Sequence, residues 1–161
     1  MKIDAATDSD LEWAAEKVGV PHWKPDAVGI TARVNEKIVA VVVYEAFSMC
    51  DAQMSVASDG SRRWLSRTLL RASFSVPFII MDLKRVTFLV GSKNERSIKL
   101  CIGLGFTVEG RLEDGLPDDD LIVFGMTKRR CPYIPREWRK HDASMDENGI
   151  GMGSRTSDLH H

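Results

Sequence analysis

No window of this sequence approaches the roughly 18 consecutive apolar residues that a membrane-spanning helix needs. Its first residues, "MKIDAATDSD", lack the apolar core of a secretory signal. Excess charge is also missing: 22 basic and 23 acidic residues leave a formal net charge of −1. Such a chain has no global field to draw in nucleic acid or an anionic membrane. Cysteine is scarce. Cys50, Cys101 and Cys131 are odd in number and show no CxxC spacing, which argues against a disulfide framework or a zinc site. They read as reduced thiols packed as small hydrophobes, with no metal expected, and the setting they imply is cytoplasmic. What remains is a soluble chain of 161 residues, 43% hydrophobic, long enough to build one core without staples.

Periodicity supplies the elements. Ser9 and Glu12 have capping-box spacing before an apolar row at Leu11, Ala14, Ala15 and Val18, so residues 9–18 are predicted to be a helix stopped by Gly19 and Pro21. Val28, Ile30, Ala32 and Val34 alternate as a half-buried strand. After the turn "NEK", residues 38–47 are too continuously apolar to have a wet face and read as an interior strand. Residues 51–58 alternate again, giving a three-stranded antiparallel meander. A helix follows over 61–76, with Leu65, Leu69, Ala72 and Val76 on one stripe and Arg63, Arg67 and Arg71 on another, until Pro77 ends or bends it. Residues 85–90 are a strand. Ser92 or Asn94 caps the next helix, and Gly105 closes it. Strands at 107–112 and 121–127 flank the acidic loop "EDGLPDDD". Residues 1–134 thus form one domain of mixed α+β class with helices on both faces of a mixed sheet, and 135–161 read as a polar, flexible tail.

Two strand–helix junctions stand out. The turn "SDGSRR" presents backbone amides together with Ser58, Ser61, Arg62 and Arg63, which suits a pyrophosphate as well as it suits an ordinary capped helix. The second junction, "GSKN", falls beside the first in a βαβ unit, at the carboxyl ends of neighbouring strands, where open sheets bind ligands.

The order of elements, with "NERSIKLCIGLGFTVEGRL" and the later "DDDLIVFGM", resembles the GNAT superfamily of acyl-CoA N-acyltransferases. Asn94, Ser97, Leu100, Gly105–Phe106, Glu109–Gly110 and Gly125–Met126 occupy that family's positions, most similarly to the branch acetylating N-termini of ribosomal proteins. The resemblance implies that acetyl-CoA, as co-substrate, lies in a splay between strands 51–58 and 85–90. Its pantetheine arm would pair with backbone around Met54, Val56 and Ser58, its pyrophosphate would rest on the amides of Ser61, Arg62, Arg63, Trp64, Leu65 and Ser66, and Asn94 and Ser97 would meet it from the next helix. An amine acceptor is implied, and a homodimer would be usual.

The departures are specific. Arg62 and Trp64 replace the family's two central glycines, Ser58 stands where proline is usual, and Ser66 where the last small residue is. The Trp64 ring must either turn outward or close the pocket. Where many members carry a tyrosine general acid this chain has Cys101. Asp51 is the nearest carboxylate to the expected base, with Glu45 and Glu109 as weaker alternatives. Three readings stay open: an N-acetyltransferase working by direct attack, a GNAT-fold binding or structural module that has lost catalysis (as in some bacteriophage proteins), and a nucleic-acid surface on Arg62, Arg63, Arg67 and Arg71. The third has the least support from net charge and aromatic content.

Overall fold

A computed structural model describes residues 1–140; the expected tail lies outside the described residues from 141 onward. Seven strands form one sheet: β1 (Lys2–Ala5), β2 (Val28–Val34), β3 (Lys37–Glu45), β4 (Gln53–Ser58), β5 (Arg85–Gly91), β6 (Thr107–Leu116) and β7 (Asp119–Thr127). Their spatial order is β1-β2-β3-β4-β5-β7-β6. Every pairing is antiparallel except β4 with β5. The mixed sheet, the meander and the interior strand are as the alternation predicts. Val39 through Tyr44 on β3 are all buried, which is why that stretch reads apolar without a break.

Helix α1 (Asp8–Val18) packs on one face, with Ala14 against Val41, Val43 and Ala57. Its cap sits two residues earlier than the sequence suggests. Thr7 accepts from the Asp10 amide and Asp10 accepts from the Thr7 amide, so Thr7 and Asp10 form the capping box instead of Ser9 and Glu12. Both pairs satisfy the spacing, and burial decides between them. Asp10 is only 3% exposed and also accepts from Thr31 Oγ1 (2.9 Å) and Arg33 (2.5 Å).

Helices α2 (Arg67–Ser75) and α3 (Glu95–Leu104) cover the other face over the main core of Val42, Tyr44, Met54, Phe74, Phe78, Val86 and Phe124. The helix predicted over 61–76 is split. Residues Arg63–Leu65 make a single tight turn, and α2 begins only after its cap, Ser66, which accepts from the Leu69 amide. At the far end Pro77 widens the chain into a π turn, Val76–Ile80. Proline has no N–H to give the carbonyl four residues back. That carbonyl belongs to Ser73, and the buried Tyr44 hydroxyl donates to it instead at 2.6 Å.

Two strands extend further than their composition suggests. The acidic segment read as a loop belongs mostly to the β6–β7 hairpin, whose register continues to Leu116 opposite Asp119. β6 is the sheet's edge and is exposed almost throughout, so its charges need no burial. Residues Arg136–Trp138 add a last helical turn within the segment expected to be tail.

Candidate active site

Parallel strands β4 and β5 share one register pair, Gln53 with Thr87. The Thr87 amide donates to Ala52 O at 2.9 Å, and beyond that point the strands diverge. The fork holds a cleft of about 950 Å³, near the top of the range of small-molecule sites. From β4 it is lined by residues 53–58 and from β5 by residues 88–91. Because β-strand side chains alternate, Met54 and Val56 face the α2–α3 side while Gln53 and Ser55 face the α1 side. The cleft therefore opens the sheet from face to face.

Met54, Val56, Ser58, Trp64, Asn94, Ser97 and Cys101 all line this cleft, so the sequence placed most of its candidates on one wall system. Asn94 is the N-cap of α3 and accepts from the Ser97 amide at 3.2 Å. The phosphate-turn candidates are arranged otherwise. Ser61 donates to Asp59 Oδ1 through both its amide (2.9 Å) and its hydroxyl (2.5 Å), while Arg63 donates to Asp59 Oδ2 at 3.1 Å. The Gly60 amide is taken by Ser58 Oγ at 3.3 Å. The Ser61 hydroxyl and amide, with Arg63 beside them, hold the Asp59 carboxyl below the usual aspartate range. Arg62 is exposed, and Leu65 and Ser66 are half-buried. The amides of 61–65 precede the cap, Ser66, so α2 does not start at 61 as the sequence suggests but at Arg67.

Trp64 resolves its alternative inward. The ring is 9% exposed and packs with Ala32, Val39, Ala40 and Leu69, filling the sheet-to-helix space beside the cleft.

Of the three carboxylates weighed as a base, Glu45 is the one that borders the cleft. It lies opposite Gln53 on the α1 face, and its Oε2 accepts from the Lys24 amide at 2.7 Å. Asp26 accepts from the amides of Ala46 and Phe47, so the segment between α1 and β2 is pinned beside Glu45. Trp23 also borders this mouth, its indole N–H donating to Leu11 O at 2.8 Å. Asp51 sits at the closed base of the fork. Its carboxylate accepts from Thr87 Oγ1 at 2.8 Å and lies 3.5 Å from Arg85 Nε. Arg85 also binds Glu109, whose carboxyl it holds below the usual range. That ion pair lies over Gly125, where an added Cβ would come within 2.0 Å of Glu109. The glycine of the Gly-Met pair is thus explained by the side chains above it.

Cys101 is 3% exposed, and burial pushes its thiol up to about 11. Among the described residues no helix is long and apolar enough to cross a membrane.

Solved structures carry the same architecture. A mutant of the spermidine N-acetyltransferase SpeG from Vibrio cholerae matches with a TM-score of 0.70 at 14% identity, over 84% of this chain and 97% of that one. A second SpeG mutant matches at 0.69 and 15%, over 85% and 99%. A dodecameric SpeG in an intermediate state matches at 0.66 and 13%, over 78% and 92%. This is the GNAT fold. No family model and no curated protein sequence matches the chain. At such identities the likeness establishes the GNAT fold alone.

Proposed function

We propose that the protein is an acyl-CoA-dependent N-acetyltransferase that moves an acetyl group from acetyl-CoA to a primary amine. The observation that carries this reading is the fork: one bridge, then a cleft open from face to face and lined by backbone of both strands. A thioester threaded from the α2–α3 side would present its carbonyl near the sheet plane, where β4 amides around Val56 can polarise it. An amine entering from the α1 side would attack the carbonyl carbon. The carbon–nitrogen bond forms, the carbon–sulfur bond breaks, and CoA leaves as the thiolate.

Glu45 is placed to attract the acceptor's ammonium form and to take a proton from it, because it borders the α1-side mouth. Asp51 is assigned a positioning role at the base of the fork through Thr87 and Arg85. Cys101 lines the cleft as a packing residue, and the departing thiolate takes its proton from the amine or from water. Met54, Val56, Ser58, Asn94 and Ser97 remain the residues proposed to hold the pantetheine arm. The SpeG neighbours act on spermidine, which supports a small cationic acceptor beside the protein N-termini suggested by the sequence resemblance.

The test is acetyl transfer to a panel of polyamines and N-terminal peptides, with Glu45→Gln as control. The expected outcome is transfer to at least one amine and a fall in kcat/KM of about 100-fold in the variant. Absence of acetyl-CoA binding and of transfer would leave the second reading, a GNAT-fold module without catalysis. The inward Trp64 ring and the occupied Asp59 turn are the observations that favour that reading.

A further inference from the structure

The cleft ends against the turn of residues 58–64, since Ser58 and Trp64 both line it. Beside the exposed Arg62, Ser61 and Arg63 are the groups there that would meet an anion. Both already converge on one, the carboxylate of Asp59, which is bound by an amide, a hydroxyl and a guanidinium. An external diphosphate at this turn would have to displace that carboxylate or share its partners against like-charge repulsion. The walls along β4 and β5 meet no such conflict.

We propose that Asp59 is a specificity determinant for the acyl donor: by occupying the anion-binding turn it makes the protein recognise the donor through its S-acyl-pantetheine arm, with little contribution from the nucleotide diphosphate. This rests on the acetyltransferase reading and widens its donor class from acetyl-CoA to S-acyl-pantetheine thioesters. The arm is present in acyl-CoA and also in pantetheine-bearing carriers. The turn's own geometry supports the assignment, because the Asp59 bonds link residues two and four positions apart and form without help from the rest of the fold.

Isothermal titration with acetyl-CoA and with S-acetyl-pantetheine separates the outcomes. The natural protein is expected to bind the two within about threefold of each other. In Asp59→Asn, acetyl-CoA should bind about tenfold more tightly while S-acetyl-pantetheine is unchanged, which also shows that the variant is folded. In Arg63→Gln, acetyl-CoA affinity should stay within about twofold. A natural preference for acetyl-CoA of a hundredfold, no gain in Asp59→Asn, or a tenfold loss in Arg63→Gln would each overturn the proposal while leaving the acetyltransferase reading intact. Failure of either donor to bind the natural protein or its variants would overturn both.

Discussion

The two strand–helix junctions that flank the fork look alike in sequence, yet their turns are held by different means. After β4, the turn is tied by Asp59, a residue of the turn itself. After β5, the turn is tied by Asp119 from β7. That carboxylate accepts from Ser92 Oγ and, at 2.9 Å, from the Lys93 amide, while Lys93 Nζ donates to Asp118 O at 2.6 Å. The first junction is a local motif and the second is a tertiary one. The helix start beyond each follows suit: Asn94 caps α3 directly after its turn, whereas Trp64 and a separate tight turn stand between the Asp59 turn and α2. A junction that ties itself can change its ligand chemistry without moving the sheet. One tied from β7 keeps its shape only while the hairpin is in place.

The largest test of this contrast is Trp64→Gly, which restores the small residue the resemblance expects. The ring is buried against β2, β3 and α2, so its removal should cost about 4 kcal/mol. Chemical denaturation would show it as a large drop in midpoint. A loss under 1 kcal/mol would mean that the ring is not part of the core at the first junction. Next come the caps. Ser66→Ala and Asn94→Ala each remove one side-chain acceptor from a helix N-terminus and should cost about 1 kcal/mol apiece. If Asn94 also holds ligand, only Asn94→Ala will weaken donor binding beyond its effect on stability.

The smallest effect is in acid. The Ser61 hydroxyl and amide hold the Asp59 carboxyl low, and the Ser92 hydroxyl and Lys93 amide do the same for Asp119. A carboxyl whose folded value is depressed contributes fully above its unfolded value, about 3.9, and loses that contribution as pH falls through the folded value. The amide resonances of Ser61 and Lys93 should therefore titrate with midpoints below that unfolded value. A midpoint at or above that value in either would break the corresponding tie. In Asp119→Asn the Lys93 resonance should move and Ser61 should not, since the two turns share no partner.

Much of the fold was legible because burial writes itself as period. The unbroken apolar run of β3 and the alternation in β2 and β4 reported their own depth in the sheet. β1 was not legible: "KIDA" has one half-buried side chain, Ile3, and pairs with β2 at the edge of the sheet. Only the far end of the β6–β7 hairpin, Glu113 to Asp120, hid behind its acidic residues, because a strand exposed on both faces tolerates any charge. In the site, the resemblance to a known family carried Asn94, Ser97 and the β4 wall to the cleft. It ranked Asp51 above Glu45 and Glu109, whereas Glu45 is the one that borders the cleft. Whether Glu45 or Asp51 borders the opening depends on where two parallel strands part, and that is fixed by Thr87, 36 residues along the chain from Asp51. Asp59 was passed over because it carries the wrong sign for the ligand expected at its turn.

The single bridge between β4 and β5 also bears on how this chain avoids its own kind. Beyond Gln53 and Thr87 each strand turns an unpaired row of N–H and C=O groups toward the other, and such rows on a protein's outside invite foreign strands to add on. Here both rows face each other across the cleft, in a slot bounded at its base by the Asp51–Thr87 contact. On the proposed reading, the amides of the donor's pantetheine arm are the groups that would complete their hydrogen bonding.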